Sequence, residues 1–266
     1  MNGHRAVIGL CMLCALVVSG LAAQSAAASE TGTTAYTCVE GGTSTAKFNS
    51  ATCSETVAGG KFGHTAIAVN TTTETSANGV GAMELKATHA GVKLAMKTST
   101  IAAASKELCG EHVPWMENKI SGEEMFVIGE SCLTFSNVEV TEPAGKGCEV
   151  ANSKMVTTKL LKVTTQSQGM FVKLEPTTAP VLAEFEIKGC TVASLNGAYK
   201  VEGSVKGVPK GTMTIFTETE TTTQGTLTFG GLPAGIGGEI EGKGRAKGST
   251  GAFTPLGVTT PGEVMS

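Results

Sequence analysis

The 266-residue sequence contains no aspartate; its 23 acidic residues are all glutamate. That absence excludes aspartic dyads, phosphoryl-aspartate intermediates and EF-hand calcium loops. Aromatic residues are scarce at 5%, with one Trp and two Tyr, so the platforms on which sugars stack are nearly missing. A glycosidase also needs two carboxylates about 5–9.5 Å apart across a cleft. The glutamate pairs Glu123/Glu124, Glu184/Glu186, Glu218/Glu220 and Glu239/Glu241 are instead sequence neighbours. At spacing i, i+2 on a strand both carboxylates share one face, expected to be the solvated one. The net charge of −3, with signs intermixed, leaves no electrostatic grip on nucleic acid. Beyond the N-terminal region no segment approaches 18 consecutive apolar residues, so no later membrane span is expected.

What is abundant is threonine, 38 residues, and glycine, 35 residues. Threonine favours strands and glycine favours turns and bulges. No segment of ten or more residues shows a convincing 3.6-residue period; Cys109–Lys119 offers at most a short helical turn. The expectation is an all-β chain, an antiparallel β-sandwich or barrel, in one continuous domain or two lobes at 29–105 and 106–266. An Ala/Ser stretch at 102–106 suggests the break.

Residues 1–28 have the three parts of a secretory signal: a basic start at His4 and Arg5, an apolar run from Ala6 to Val18, and small residues from Ala22 to Ala28. The run is too short to cross a bilayer. Cleavage is expected before Ser29, with Ala22 or Ala23 as the rival position. No LPxTG sorting motif is present, so the mature chain is expected to be secreted or at the cell surface.

Export changes how cysteine reads. Six remain after signal removal: Cys38, Cys53, Cys109, Cys132, Cys148 and Cys190. An even count in an oxidising compartment argues for disulfides, although six allow fifteen pairings. The mature chain has no CxxC pair, which removes zinc-ribbon and thioredoxin-like sites. Short Gly- or Thr-rich connections favour Cys38–Cys53 and Cys132–Cys148, leaving Cys109–Cys190.

Two hairpins stand out. In the first, from Ala82 to Ile101, Met83, Leu85 and Ala87 alternate with charged or polar neighbours. His89-Ala90-Gly91 then turns the chain into Val92, Leu94 and Met96. In the second, Cys190 to Val205, Asn196-Gly197 reads as a type I′ turn placing Val192 opposite Val201. Further strands are expected at Lys61–Val69, Met125–Ile128, Cys132–Val140, Met155–Val163, Met170–Leu174, Val181–Lys188, Thr212–Glu218 and Gly225–Phe229. Gly147-Cys148-Glu149-Val150 and Gly189-Cys190-Thr191-Val192 echo each other as strand openings.

Motifs for chemistry are thin. No GxSxG elbow is present, and only His64, His89 and His112 could act as a base in the mature chain. Their spacing matches no local metal motif, and no metal or cofactor is expected. Cys109-Gly110-Glu111-His112 is explained by a disulfide beside a loop histidine. In the Gly-rich stretch Gly230–Gly251, Gly237 to Lys243 gives GxxxxGK, but Gly244 stands where Ser or Thr must hold magnesium. A weakly paired edge or bulged region is expected there. Lys243, Arg245 and Lys247 could touch an anionic wall polymer. Asn70-Thr71-Thr72 is a glycosylation sequon, and Trp115 is expected in the core or between lobes.

Cys38, Phe48 and Cys53, then Gly147-Cys148-x-Val150, Thr157, Pro176 and Gly189-Cys190, together resemble exported β-proteins that recur in soil actinobacteria. The likeness spans most of the mature chain. It implies an extracytoplasmic β-fold and supplies no catalytic residue or ligand.

These readings point to an exported, non-enzymatic structural or interaction protein whose partner is a cell-wall polymer or another surface protein. Two alternatives belong to other classes. A small-ligand or lipid carrier would show a dry pocket lined by Met96, Phe171 or Phe185. A secreted hydrolase would place His64 or His112 against a glutamate, beside a serine in a cleft.

Overall fold

Apolar and polar residues alternate along the strands, and that alternation decides which way each strand faces. In Val181–Lys188, Ala183, Phe185 and Ile187 are buried, while Glu184, Glu186 and Lys188 are exposed. A computed structural model describes residues 35–259 apart from 106, 122–123, 167–169, 179 and 222–224. The signal segment expected at 1–28 lies outside the described residues.

The first two strands, β1 (Ala35–Glu40) and β2 (Phe62–Ala66), form a hairpin set apart from the later strands. The long strand β3 (Thr72–His89) then opens a ring. Along one edge it pairs successively with β4 (Val92–Thr98), β5 (Thr100–Ala103) and β6 (Trp115–Ser121), so these three share the second position of the ring. The third position is the run β7 (Glu124–Ser131), β8 (Leu133–Ser136) and β9 (Glu139–Glu142). The fourth is β10 (Glu149–Val150), β11 (Val156–Thr157) and β12 (Leu161–Gln166).

Next come β13 (Phe171–Pro176) with β14 (Val181–Lys188), then β15 (Gly197–Glu202) with β16 (Val205–Lys210). The seventh position holds β17 (Met213–Thr217) and β18 (Thr228–Phe229). The eighth is β19 (Leu232–Ala246), which pairs with β17 and β18 on one side and with β3 on the other. That last pairing closes an antiparallel barrel. Hydrogen-bonded strands run across position 105, where β5 pairs with β8 and β3 with β19.

The two ends of the barrel close differently. At one end Phe229 stacks on Tyr199 with ring centroids 4.7 Å apart, and Phe185 tilts against both. The Cys148–Cys190 disulfide lies at this end and joins the start of β10 to the loop after β14. At the other end the β1–β2 hairpin docks as a plug. It has its own small core of Tyr36, Cys38, Phe48 and Cys53. The last described strand, β20 (Thr254–Val258), bridges it to the barrel by pairing with both β1 and β19. Asn118 of β6, wholly buried, ties the plug down: its carbonyl accepts from the Ala35 N–H, and its amide donates to the Ile67 carbonyl, each at 2.7 Å.

Three expectations are corrected. The disulfides are Cys38–Cys53, as expected, but Cys109–Cys132 and Cys148–Cys190 in place of Cys132–Cys148 and Cys109–Cys190. Cys132 precedes β8 and meets the loop after β5, whereas Cys148 faces the far end of β14; ring order, not sequence proximity, sets the pairs. Asn196-Gly197 is not a hairpin turn. A short 3-10 turn at Ala193–Leu195 precedes it, Asn196 clasps Cys190 with two 2.9 Å hydrogen bonds, and β15 pairs with β14. The two Gly-Cys-x-Val segments are the two arms of one crosslink, with only the first opening a strand.

The Gly-rich stretch is also no weak edge. It forms β19, paired along both sides, with one bulge between Gly237 and Glu239. Glycine is required there by close approach: at Gly238, with φ at +145°, a Cβ would sit 2.9 Å from the Met83 Cα.

Candidate functional site

The ring is wide enough that its inward side chains do not fill it. Two abutting cavities lie along the barrel axis. The first, of about 90 Å³, is at the Tyr199–Phe229 end; Met83, Met96, Phe185, Val201 and Leu227 line it. Met96 and Phe185 thus stand where a carrier would need them. Phe171 does not: it is half-buried on β13, with the Lys206 ammonium 5.7 Å from its ring centroid. The hydroxyls that border this chamber are already engaged. Thr98 donates to the Ser136 carbonyl, and Thr158 accepts from the Leu133 N–H at 3.0 Å. The lining of the first chamber is therefore almost wholly apolar.

The second cavity, of about 140 Å³, lies toward the plug. Met116, Val127, Val163, Val172 and Met213 line it, and Leu256 and Val258 of β20 close it below. Its wall also carries hydroxyl residues, Thr75, Ser131, Thr165, Thr212 and Thr214, and Trp115 borders it. Leu161, Leu174, Phe216 and Ile240 belong to both chambers and form the waist between them. Strand period accounts for this lumen, since every second residue of the ring must face it.

The histidines have separate surroundings. His64 is 3% exposed and stacked between Tyr36 and Phe48, with centroids 3.7 and 4.6 Å away, inside the plug. His112, on the loop after Cys109, has its Nε2 3.5 Å from Glu130 Oε2, the same oxygen that accepts from Trp115 Nε1 at 3.2 Å. This contact packs the loop on β7. His89 ends β3 with its ring edge-on to Tyr199. Among the described residues no group of three His, Cys or Glu could hold a metal ion.

Among the glutamate pairs, Glu184 and Glu186 face outward as expected, and Lys159 at 3.0 Å holds the Glu184 carboxyl below the ordinary range. Glu218 departs from the solvated face expected for such pairs. It is 5% exposed, its Oε1 accepts from the Lys206 N–H at 2.8 Å, and burial pushes its carboxyl up. The cluster of positive charge in β19 is largely committed: Lys243 meets Glu241 at 3.3 Å, and Arg245 meets Glu74 at 2.9 Å while covering the Phe253 ring. Trp115 is half-buried rather than a core plug.

Sequence reasoning missed Asn118 and Thr212 and put Glu218 on the wrong face, because polar residues on strands carry no mark of the wall they face until the ring is closed. No family model matches the chain, and no curated protein or solved structure is significantly similar to it.

Proposed function

We propose that the chain is an extracytoplasmic, non-enzymatic binding protein that holds a small apolar molecule inside its barrel. The apolar chamber lined by Met96 and Phe185 carries this reading. A cavity of about 150 Å³ lined by aliphatic and aromatic side chains stays dry and takes up benzene, and the two chambers are of that order. An apolar guest there gives up its hydration at no loss to the protein's own hydrogen bonds.

Three disulfides support a life outside the reducing cytoplasm, where such crosslinks persist, and the signal-like N-terminus agrees. On β4 and β14 the outer wall is polar: Lys97, Glu184, Glu186 and Lys188 are exposed on strands whose alternate residues face the lumen. Barrels that span membranes have the opposite arrangement, an apolar belt outside. This reading keeps the export and the lack of catalysis inferred from the sequence, and gives the open-ended interaction role a ligand.

Methionine methyl groups report on each chamber by NMR. Titrating the secreted protein with benzene should shift Met83 and Met96 in the first chamber and Met116 and Met213 in the second. The methyls of Met155 and Met170, 36% and 49% exposed, should stay in place. Unmoved lumen methyls at saturating benzene would remove the reading.

A further inference from the structure

The two chambers differ in chemistry, and the difference says what sort of molecule fits both. In the first chamber the bordering threonines are hydrogen-bonded to the barrel's own backbone. In the second, Thr165 is held as Thr158 is in the first, accepting from a backbone N–H, that of Val127 at 2.9 Å, and each keeps its own proton to donate. Thr212 goes further. It lines the chamber, is 3% exposed, and its hydroxyl finds no partner among the described residues. The Thr212 backbone is fixed at both groups: its N–H donates to the Thr52 carbonyl, and its carbonyl accepts from the Gly242 N–H. Only the side chain is uncommitted. Rotation about χ1 carries a threonine hydroxyl from one staggered position to another, so this one can turn its hydroxyl toward a guest with the backbone unmoved. Buried hydroxyls are paired in the great majority of cases, so an unpaired one beside a cavity calls for a partner.

The lining also limits that partner. Among the described residues no Lys, Arg, His or Glu lines the second chamber, so an ionised head would be buried without a counter-charge. The head must be neutral. The size of the guest is set by the volumes: a cavity of about 150 Å³ holds the six carbons of benzene, so chambers of about 90 and 140 Å³ accept about nine non-hydrogen atoms in all. Resting on the carrier reading above, we infer that the ligand is a neutral medium-chain amphiphile, a primary alcohol or ketone. Its hydrocarbon tail occupies the apolar chamber past the Phe216–Ile240 waist, and its oxygen meets Thr212.

Three probes of matched length test this by methionine-methyl NMR on the secreted protein: 1-octanol, n-octane and octanoate. The expected result is that 1-octanol binds and octanoate binds at least tenfold more weakly. Thr212→Val should weaken 1-octanol about two- to tenfold, the worth of one ordinary hydrogen bond, and leave n-octane unchanged; Thr212→Ser should restore the difference. In the unsubstituted protein, the carbinol carbon should show contacts to Met213 and the terminal methyl to Met96. Octanoate binding as tightly as 1-octanol, an unaltered 1-octanol affinity in Thr212→Val, or the reversed orientation would each overturn the head-group assignment while leaving the carrier reading intact. If neither 1-octanol nor n-octane moves a lumen methyl, the carrier reading itself fails.

Discussion

The barrel's two ends solve one problem in different ways. At the Tyr199–Phe229 end the closure is made by the ring's own strands, whose aromatic side chains fold over the opening and share a single core with the walls. At the other end a separate hairpin does the work, with its own core and its own disulfide, held by Asn118, by β20 and by a hydrogen bond from Thr212 to Thr52. The first end shares its core with the barrel walls, whereas the second is an attached module with a small core of its own. That difference bears on function, because the hydroxyl-lined chamber is the one beneath the module.

The comparison breaks first at the integral end. Phe229 is wholly buried, and Phe229→Ala should cost about 3–5 kcal/mol of global stability. The loss should appear in urea unfolding followed by Trp115 fluorescence, although Trp115 lies at the opposite end. A purely local loss that leaves the Trp115 transition in place would show that the ring is not one unit. At the modular end, replacing Cys38 and Cys53 with serine opens a 15-residue loop worth about 3 kcal/mol. Hydrogen exchange should show protection lost across β1 and β2 while β3 and β19 keep theirs; equal loss in β19 would merge the two regions.

Asn118→Ala sharpens the boundary between them. It strands the Ala35 N–H and the Ile67 carbonyl, an expected loss of about 2 kcal/mol. Proteolysis should then cut within 35–67 before it touches the barrel.

The smallest effect belongs to Glu218. Burial raises its carboxyl in the folded state, so folded protein keeps a proton that unfolded chain releases. Stability therefore falls as pH rises from the ordinary carboxylate value up through the raised one. Opposing this are the N–H groups of Lys206 and Gly225 and the Lys206 charge. Glu218→Gln should match the parent in acid, exceed it increasingly across that window and keep a constant margin above it, as read from denaturation midpoints at several pH values. Parallel midpoints at every pH would contradict the sign.

Much of the fold was legible because strands announce themselves by alternation. The hairpin read from Ala82 to Ile101 forms, with Leu85 opposite Met96 and Ala87 opposite Leu94, but His89, read as part of the loop, pairs with Val92 and leaves Ala90-Gly91, both with positive φ, as the turn. Val181–Lys188 is a strand over its whole expected length. Illegible features depend on partners far away in sequence. Asn196-Gly197 carries a turn signature, yet Asn196 uses its side chain to hold Cys190. Asn152, Ser153 and Lys154 turn with positive φ just after β10, where no glycine marks the turn. Two of three disulfides were mispaired for the same reason: loop length says nothing about which ring positions are neighbours. The lumen was half legible, since Met96 and Phe185 face it and Phe171 does not.

The seam between β3 and β19 has one more consequence. It joins Thr73 to Ala246 and Ala87 to Ala234, the most distant segments of the ring, and no other pairing can substitute for it. Until synthesis has passed Ala246 the growing sheet has two bare margins, each able to recruit a foreign strand. Assembly is thus forced to be late and slow, as expected for topologies dominated by distant contacts. A chain shortened before β19 would leave an open, adhesive sheet in place of a vessel.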